Sequence, residues 1–421
     1  MLPMLVLPVL RWKRGAFWLP AWKRPLPLPM LPEFLLLGYK HMHVFLLAGE
    51  PSGDLLGARL MAALKRLDAG IRFSGVGGAH MENEGLSSLF PMEELSVMGL
   101  AEVLPRLPAL LRRRDEAAKA ILAQNPDVVV TIDAPDFSFR VVKKARYMGC
   151  KTPMVHYVAP SVWAWRPGRA KKLATLYDHV LCLLPFEPPY FEREGMQATF
   201  IGHSSVESGA GHGDGAGFRV HHGIGMEEKI LCLLPGSRGS EMKYLVPLFK
   251  DVLSRLPQEM RIVLPTLPRW QTHLETQFPQ AIVFTGEAEK WNAFAASDVA
   301  LAASGTVTLE LALAGVPTIT TNRMGHVSTW LFRLLLKNRY FALPNLVLDR
   351  EAMPEMFFGK CNAVDVSQAV RRLLESAEAR DMQKQALSEA VVRITPQGGK
   401  SPSDMAARAV WQYRPSPPNG N

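Results

Sequence analysis

Short apolar runs and segments of helical period take turns along most of this chain. The runs are apolar throughout rather than on alternate residues, as expected of strands buried on both faces of a parallel sheet. They predict strands at His43 to Ala48, Arg72 to Val76, Val128 to Asp133, Met154 to Val158, Val180 to Leu184 and Thr199 to Ile201. A polar, glycine-rich stretch from Ser208 to Gly217 interrupts the rhythm and reads as a linker. The series then resumes at Ile230 to Leu234, Arg261 to Leu264, Ile282 to Phe284, Val299 to Ala303 and Thr318 to Thr321. Helical spacing lies between the runs, as in Leu55, Leu56, Leu60, Leu64 and Leu67. The architecture expected is α/β: two Rossmann-like, doubly wound domains, 42–207 and 208–394, facing a cleft. No short repeat recurs, which excludes a solenoid.

Residues 1–41 stand outside this pattern. They are rich in Pro, Trp and Leu, have no steady period, and are expected to be a disordered extension or sequence ahead of a true start at Met42. Their apolar decapeptide precedes the basic cluster and is broken by Pro3 and Pro8, unlike a signal peptide. No uninterrupted apolar run has the length of a membrane span.

Charge narrows the partners. The net charge is +9, but residues 1–41 hold Arg11, Lys13, Arg14, Lys23, Arg24 and Lys40 against Glu33, so the body is only mildly basic. Without a basic patch interleaved with aromatics, nucleic acid is not an expected partner, whereas anionic lipid or a phosphorylated substrate is. Cys150, Cys182, Cys232 and Cys361 are too scattered for a disulfide framework or a zinc site and suit a reducing compartment.

Chemistry gathers where strands end. Leu231 to Glu241 reads as strand, tight loop and helix start: Gly236 and Gly239 permit a sharp turn, Ser237 lies between them, and Arg238 offers a fork of donors suited to phosphate. No Lys-Ser/Thr pair follows, so this is not a P-loop, and a diphosphate bound in another way is the expectation. Ser304-Gly305-Thr306 repeats the logic after the Val299 to Ala303 run, and Glu310 one turn on can accept from both hydroxyls of a ribose.

In the first half, Gly49-Glu50-Pro51-Ser52-Gly53-Asp54 and Gly75-Val76-Gly77-Gly78 each follow a strand, as ligand contacts or as plain turns. Asp133 ends a buried run, either as a general base in the cleft or as a carboxylate bound to nearby backbone; Asp136 reads as a helix cap. Trp163 and Trp165 line a pocket or pack, and His156 is a satisfied histidine. The apolar Val97 to Leu111, with Val97, Met98 and Leu100 before Arg112-Arg113-Arg114, suits an anionic membrane face as well as it suits core packing. Trp330 to Tyr340 raises the same question.

In order, Ala48 to Asp54, Met98 to Leu104, Ile132 to Phe137, His156 to Arg166, Leu234 to Gly239, Ala303 to Thr306 and Leu343 to Leu346 resemble the lipid-A-disaccharide synthase family, glycosyltransferase family 19, from about Met42 to the C-terminus. The resemblance implies a GT-B fold, with C-terminal helices near 395–415 crossing back to the first domain. It implies an inverting transfer: UDP-2,3-diacylglucosamine and 2,3-diacylglucosamine 1-phosphate (lipid X) give a β(1→6) disaccharide 1-phosphate and UDP. It assigns Asp133 as base, Arg238 to the diphosphate, Glu310 to the ribose and Asn345 to the neighbourhood of the nucleotide, with Gly49 to Asp54 on the acceptor side. It implies no cofactor or metal, peripheral binding to the anionic cytoplasmic face of the inner membrane, and is compatible with a homodimer. Pro51 falls at a variable position of the family, and residues 1–41 have no counterpart there. A GT-B enzyme with a soluble acceptor, a UDP-sugar epimerase, or a lipid-binding protein without turnover are the competing readings.

Overall fold

The computed structural model describes residues 40–95, 100–164, 168–323 and 339–416, with side chains in the second stretch from Arg106 onward. His41 to Pro415 form one compact unit. Two six-stranded, wholly parallel sheets organise it. The first contains β1 (His43–Ala48), β2 (Arg72–Val76), β3 (Val128–Ile132), β4 (Met154–Tyr157), β5 (His179–Cys182) and β6 (Gln197–Phe200), in the order β2-β1-β3-β4-β5-β6. The second contains β7 (Lys229–Leu234), β8 (Met260–Thr266), β9 (Ala281–Thr285), β10 (Val299–Ala303), β11 (Thr318–Asn322) and β12 (Glu355–Phe357), in the order β12-β11-β10-β7-β8-β9.

Strand order decides where ligands can bind. In the first sheet the chain steps from β1 outward to β2 and then crosses to β3 on the other side; in the second, β7 leads to β8 and β9 before the chain crosses to β10. Such reversals open a crevice at the carboxyl ends of the two central strands. The loops leaving β1 and β3 are Gly49–Glu50 and Asp133–Ala134, and those leaving β7 and β10 are Pro235–Arg238 and Ser304–Thr306. Each pair of central strands is in register almost to its end, Ala48 beside Ile132 and Ala302 beside Leu234, so neighbouring loops emerge together.

The strands read from the sequence are present, with ends displaced by a few residues, because an uninterrupted Val/Ile/Leu run between helical segments has few other places to go. The short edge strand β12 is the exception. The Ser208 to Gly217 stretch also differs from a linker: it forms a 3₁₀ turn (Ala210–His212) and the start of a helix (Gly215–His221) capped by Asp214 on the Gly217 N–H. Its glycines serve close packing; a Cβ on Gly213 would lie 2.0 Å from the Trp291 carbonyl oxygen.

Each sheet is buried on both faces. Leu56, Leu60, Met61 and Leu64 from the helix Pro51–Leu67 pack on the first sheet, and the C-terminal helix Pro402–Trp411 adds Ala406, Ala407 and Val410 to the same core. Each fully buried leucine there contributes about 1.5–3 kcal/mol. Arg66 pairs with Asp404 at 2.6 Å across those two helices. Leu184, Leu309, Val347 and Ile394 join the two halves in a smaller cluster. Among the described residues, no helix is long and apolar enough to cross a membrane.

Candidate active site

On the first sheet the backbone is strained where it leaves β3. Asp133 (φ 51°) and Ala134 (φ 41°) are both left-handed, as is Val158 (φ 80°) beyond the neighbouring β4. Non-glycine residues hold such angles only where the surroundings enforce them, and such strain collects at functional sites. Here the enforcement is visible: Asp133 N–H donates to the Tyr157 carbonyl at 2.9 Å and Ser138 Oγ donates to the Asp133 carbonyl at 3.1 Å. The main chain is fixed on both sides, and the carboxylate reaches the segment after β1 at Ser52.

Among the described residues the carboxylate accepts one hydrogen bond, from Ser52 Oγ at 3.3 Å, and it is half-buried. The alternative of a carboxylate tied to neighbouring backbone therefore does not hold. Gly49 and Gly53 explain why Ser52 reaches it. A Cβ on Gly49 would meet Ala134 Cβ at 3.0 Å, and one on Gly53 would meet the Ile132 carbonyl at 3.1 Å. Glycine lets the first loop lie directly on the second.

Two acidic residues of these loops do other work. Asp54 is buried and accepts from the N–H groups of Gly78, His80 and Met81, so it anchors the Gly75–Gly78 turn and leaves the acceptor side. Asp136 is exposed and pairs with Arg169 at 2.8 Å; the cap position of that helix is Ala134. Glu50 remains in the crevice. Burial raises its pKa above 4.5, Asp133 raises it further, and the Arg238 guanidinium opposes both. One carboxyl thus feels a charge from each sheet.

On the second sheet a cleft of about 600 Å³ gathers Gly236, Ser237, Arg238, Ser304, Gly305, Thr306 and Glu310. The Ser237 and Arg238 N–H groups are not free. They donate to Glu241 Oε2 at 2.7 and 3.0 Å, and Arg238 Nη1 lies 3.3 Å from Glu241 Oε1. On the loop's other side Arg269 and Trp270 Nε1 both donate to the Ser237 carbonyl, at 2.7 and 2.9 Å. Gly236 (φ 106°) leaves room for the Glu241 carboxylate, which a Cβ would meet at 2.3 Å. The loop is thereby held with the Arg238 side chain largely exposed to the cleft.

Across the cleft, no acceptor among the described residues takes the N–H groups of Gly305, Thr306 and Val307. These are the donors open to an anion. Glu310 also lines the cleft and pairs with Lys290 at 3.2 Å, the ammonium lying 3.9 Å from the Trp291 ring centroid. Lys290, Arg269 and the role of Glu241 go unseen in the sequence, although Glu241 at the third position of a helix behind glycine carries a capping-box signal.

Other expected contacts are not brought to the site. Asn345 is fully buried, away from the cleft, and its amide is saturated. It donates to the Met353 carbonyl and to Glu355 Oε1, each at 2.8 Å, and accepts from Ala352 and Met353 N–H. Trp163 donates to Glu187 at 3.0 Å and packs edge-on to Phe186 beside the cluster that joins the two halves. His156 is buried and neutral: burial foremost, with help from Arg169, pulls its pKa down to about 3. Its Nδ1 meets Thr131 Oγ1 at 2.8 Å, while Nε2 has no partner among the described residues.

The membrane-facing segments are described only in part. Val97, Met98, Trp165 and nearly all of Trp330 to Tyr340 lie outside the described residues, and Leu100 opens the helix Leu100–Gln124 with no side chain described. Of the basic triplet, Arg113 pairs with Glu94 and Glu116 and lies 4.7 Å from the Phe90 ring, and Arg114 pairs with Asp115. The cluster therefore presents less free charge than its sequence suggests. All four cysteines are free thiols.

Comparison with known proteins bears on the family and the fold. The lipid-A-disaccharide synthetase family model matches residues 44–410. The lipid-A-disaccharide synthase of Rhodospirillum centenum is 51% identical over 380 residues, covering 88% of this chain and 94% of that protein. The synthase of Ruegeria pomeroyi is 44% identical over 390 residues, covering 89% and 96%. Among solved structures, a putative UDP-N-acetylglucosamine 2-epimerase from Listeria monocytogenes has TM-score 0.59 at 14% identity, over 88% of this chain and 95% of that one. The UDP-GlcNAc 2-epimerase of Neisseria meningitidis bound to UDP-GlcNAc has TM-score 0.58 at 11% identity, over 88% and 99%. At these identities the structural likeness shows the fold alone, a two-domain α/β arrangement of GT-B type.

Proposed function

The chain belongs to the lipid-A-disaccharide synthetase family, and from that premise we propose that the facing loops described above are its reaction site. It is a glycosyltransferase of lipid A biosynthesis, joining UDP-2,3-diacylglucosamine to 2,3-diacylglucosamine 1-phosphate with release of UDP. In the step we assign to this site, the acceptor's 6-hydroxyl oxygen attacks the anomeric carbon while the bond to the UDP oxygen breaks. The hydroxyl proton passes to Asp133, which the strained turn holds half-exposed with one weak internal bond.

Charge accumulates on the departing diphosphate. Arg238, Lys290 and the open N–H groups of Gly305, Thr306 and Val307 surround the space for it, and donors fixed before the reaction need no rearrangement during it. Glu310, which pairs with Lys290, accepts from the ribose hydroxyls in this assignment. The first sheet, residues 42–207 with the C-terminal helix, takes the lipid acceptor; residues 208–394 take the nucleotide sugar. The observation that carries this reading is the strained turn at Asp133, whose carboxylate accepts only from Ser52 Oγ among the described residues.

Both substrates carry acyl chains, and this supports peripheral attachment to the cytoplasmic face of the inner membrane through Val97, Met98 and Leu100. Leu100→Ser should then reduce co-sedimentation with anionic vesicles without loss of folding; unchanged binding removes that contact. For the reaction, the purified protein is incubated with both diacylated substrates in mixed micelles. UDP and a disaccharide 1-phosphate are expected by mass spectrometry. UDP-sugar binding without turnover, or transfer only to a soluble sugar, would overturn the assignment.

A further inference from the structure

A second cluster of ligating side chains lies on the rim of the nucleotide half. His221 ends the helix Gly215–His221, His222 follows it, and Glu289 sits in the first turn of the helix Glu287–Ala296. One donor atom from each lies within 4.8 Å of the other two. His222 Nε2 is 2.9 Å from Glu289 Oε1. Consecutive residues inside a helix diverge by about 100°, so two adjacent histidines ordinarily cannot share a ligand. Here the helix ends between them, and their ring centroids stand 4.7 Å apart at 89°.

We propose that His221, His222 and Glu289 form a site for one divalent transition-metal ion, for which zinc is the best match. Two imidazoles and one carboxylate are a common three-ligand set for zinc, with water in the fourth position. Metal–ligand bonds of about 2.0–2.2 Å place tetrahedral donors about 3.3–3.5 Å apart. The His222–Glu289 edge is already closer than that, and His221 is exposed and able to swing inward. The His222 ring is held in orientation by Phe218 at 4.4 Å and by Phe284, stacked at 6.3 Å and 29°. Imidazole nitrogen also favours zinc, nickel or copper over magnesium and calcium, which prefer oxygen.

The placement gives the ion a consequence. Glu289 directly precedes Lys290, whose ammonium pairs with Glu310 in the cleft, and Glu287 of the same turn lines that cleft. A metal bridging the two helices would tie that turn to the helix Gly215–His221. The ion is structural in this role, outside the transfer chemistry.

The test uses the full chain, stripped with chelator and dialysed. Titration with zinc chloride followed by calorimetry should show one strong site per chain, and cobalt(II) should give the intense visible bands of a tetrahedral N/O site. His221→Ala leaves the His222–Glu289 bond intact, so it should fold with the wild-type melting temperature in chelator while binding zinc at least tenfold more weakly. Glu289→Gln should weaken binding similarly. Zinc should raise the melting temperature of the wild type and not of His221→Ala. An absence of zinc binding by the stripped wild type, or identical isotherms for wild type and His221→Ala, would overturn the proposal.

Discussion

Gly236→Ala isolates the loop to which we assign nucleotide binding. Two separate penalties fall on one methyl group. At φ 106° an L-residue is strained by about 1–3 kcal/mol. The new Cβ would also stand 2.3 Å from the Glu241 carboxylate, forcing it off the Ser237 and Arg238 N–H groups. Water can replace those exposed bonds, so their loss adds about 1 kcal/mol rather than the full value of two charge-assisted bonds. The total is about 2–4 kcal/mol. Gly305→Ala is the matched control, since a Cβ there meets nothing within 4 Å and its φ is not positive. Thermal melts followed by circular dichroism, with UDP binding by calorimetry, should show Gly236→Ala alone destabilised, and its UDP affinity reduced at least tenfold as Arg238 loses its mount. Equal melting temperatures for the two variants, or wild-type UDP affinity in Gly236→Ala, would show that the loop does not depend on glycine at this position.

Two further outcomes follow from groups away from the cleft. Burial raises Glu187 to about 7, against the opposing bonds from Trp163, Leu184 and Leu183. The folded protein therefore holds this proton more tightly than the unfolded chain. The resulting stabilisation, roughly 3 kcal/mol, is full below about pH 4.5 and is lost as pH rises through about 7; melts across that range should flatten in Glu187→Gln. Asn345→Ala strands two buried N–H groups and removes a donor from Glu355, at about 1–3 kcal/mol for each stranded group. Its melting temperature should fall markedly, and a wild-type value would show that the buried network carries little energy.

The framework was legible because its signals are local. A buried parallel strand such as Val128–Ile132 is an unbroken apolar run, and the glycine or acidic residue after it marks the sheet's carboxyl edge. The proposed site residues Asp133, Arg238, Ser304 and Glu310 inherit their positions from that rule. What the sequence hid depends on partners distant along the chain. Asp54 and Asn345 are polar residues in prominent motifs, yet they turn inward to Gly78–Met81 and Met353–Glu355, and no spacing announces that. Lys290 reaches Glu310 from another helix for the same reason. The edge strand Glu355–Phe357 has three residues and an acidic start, too little for a periodic signal. In Ser208–Gly217, glycine chosen for close packing has the same composition as glycine chosen for freedom.

In the proposed reaction Asp133 takes the acceptor proton in a crevice whose nucleotide side is separately built. The direct measurement is kcat for disaccharide formation by Asp133→Asn in mixed micelles, alongside UDP affinity for the same protein. The substitution should lower kcat by about 10²–10⁴-fold, the usual worth of a positioned base, with UDP affinity and melting temperature unchanged. A variant that turns over near the wild-type rate, or that loses UDP binding in proportion to activity, would exclude Asp133 as the base.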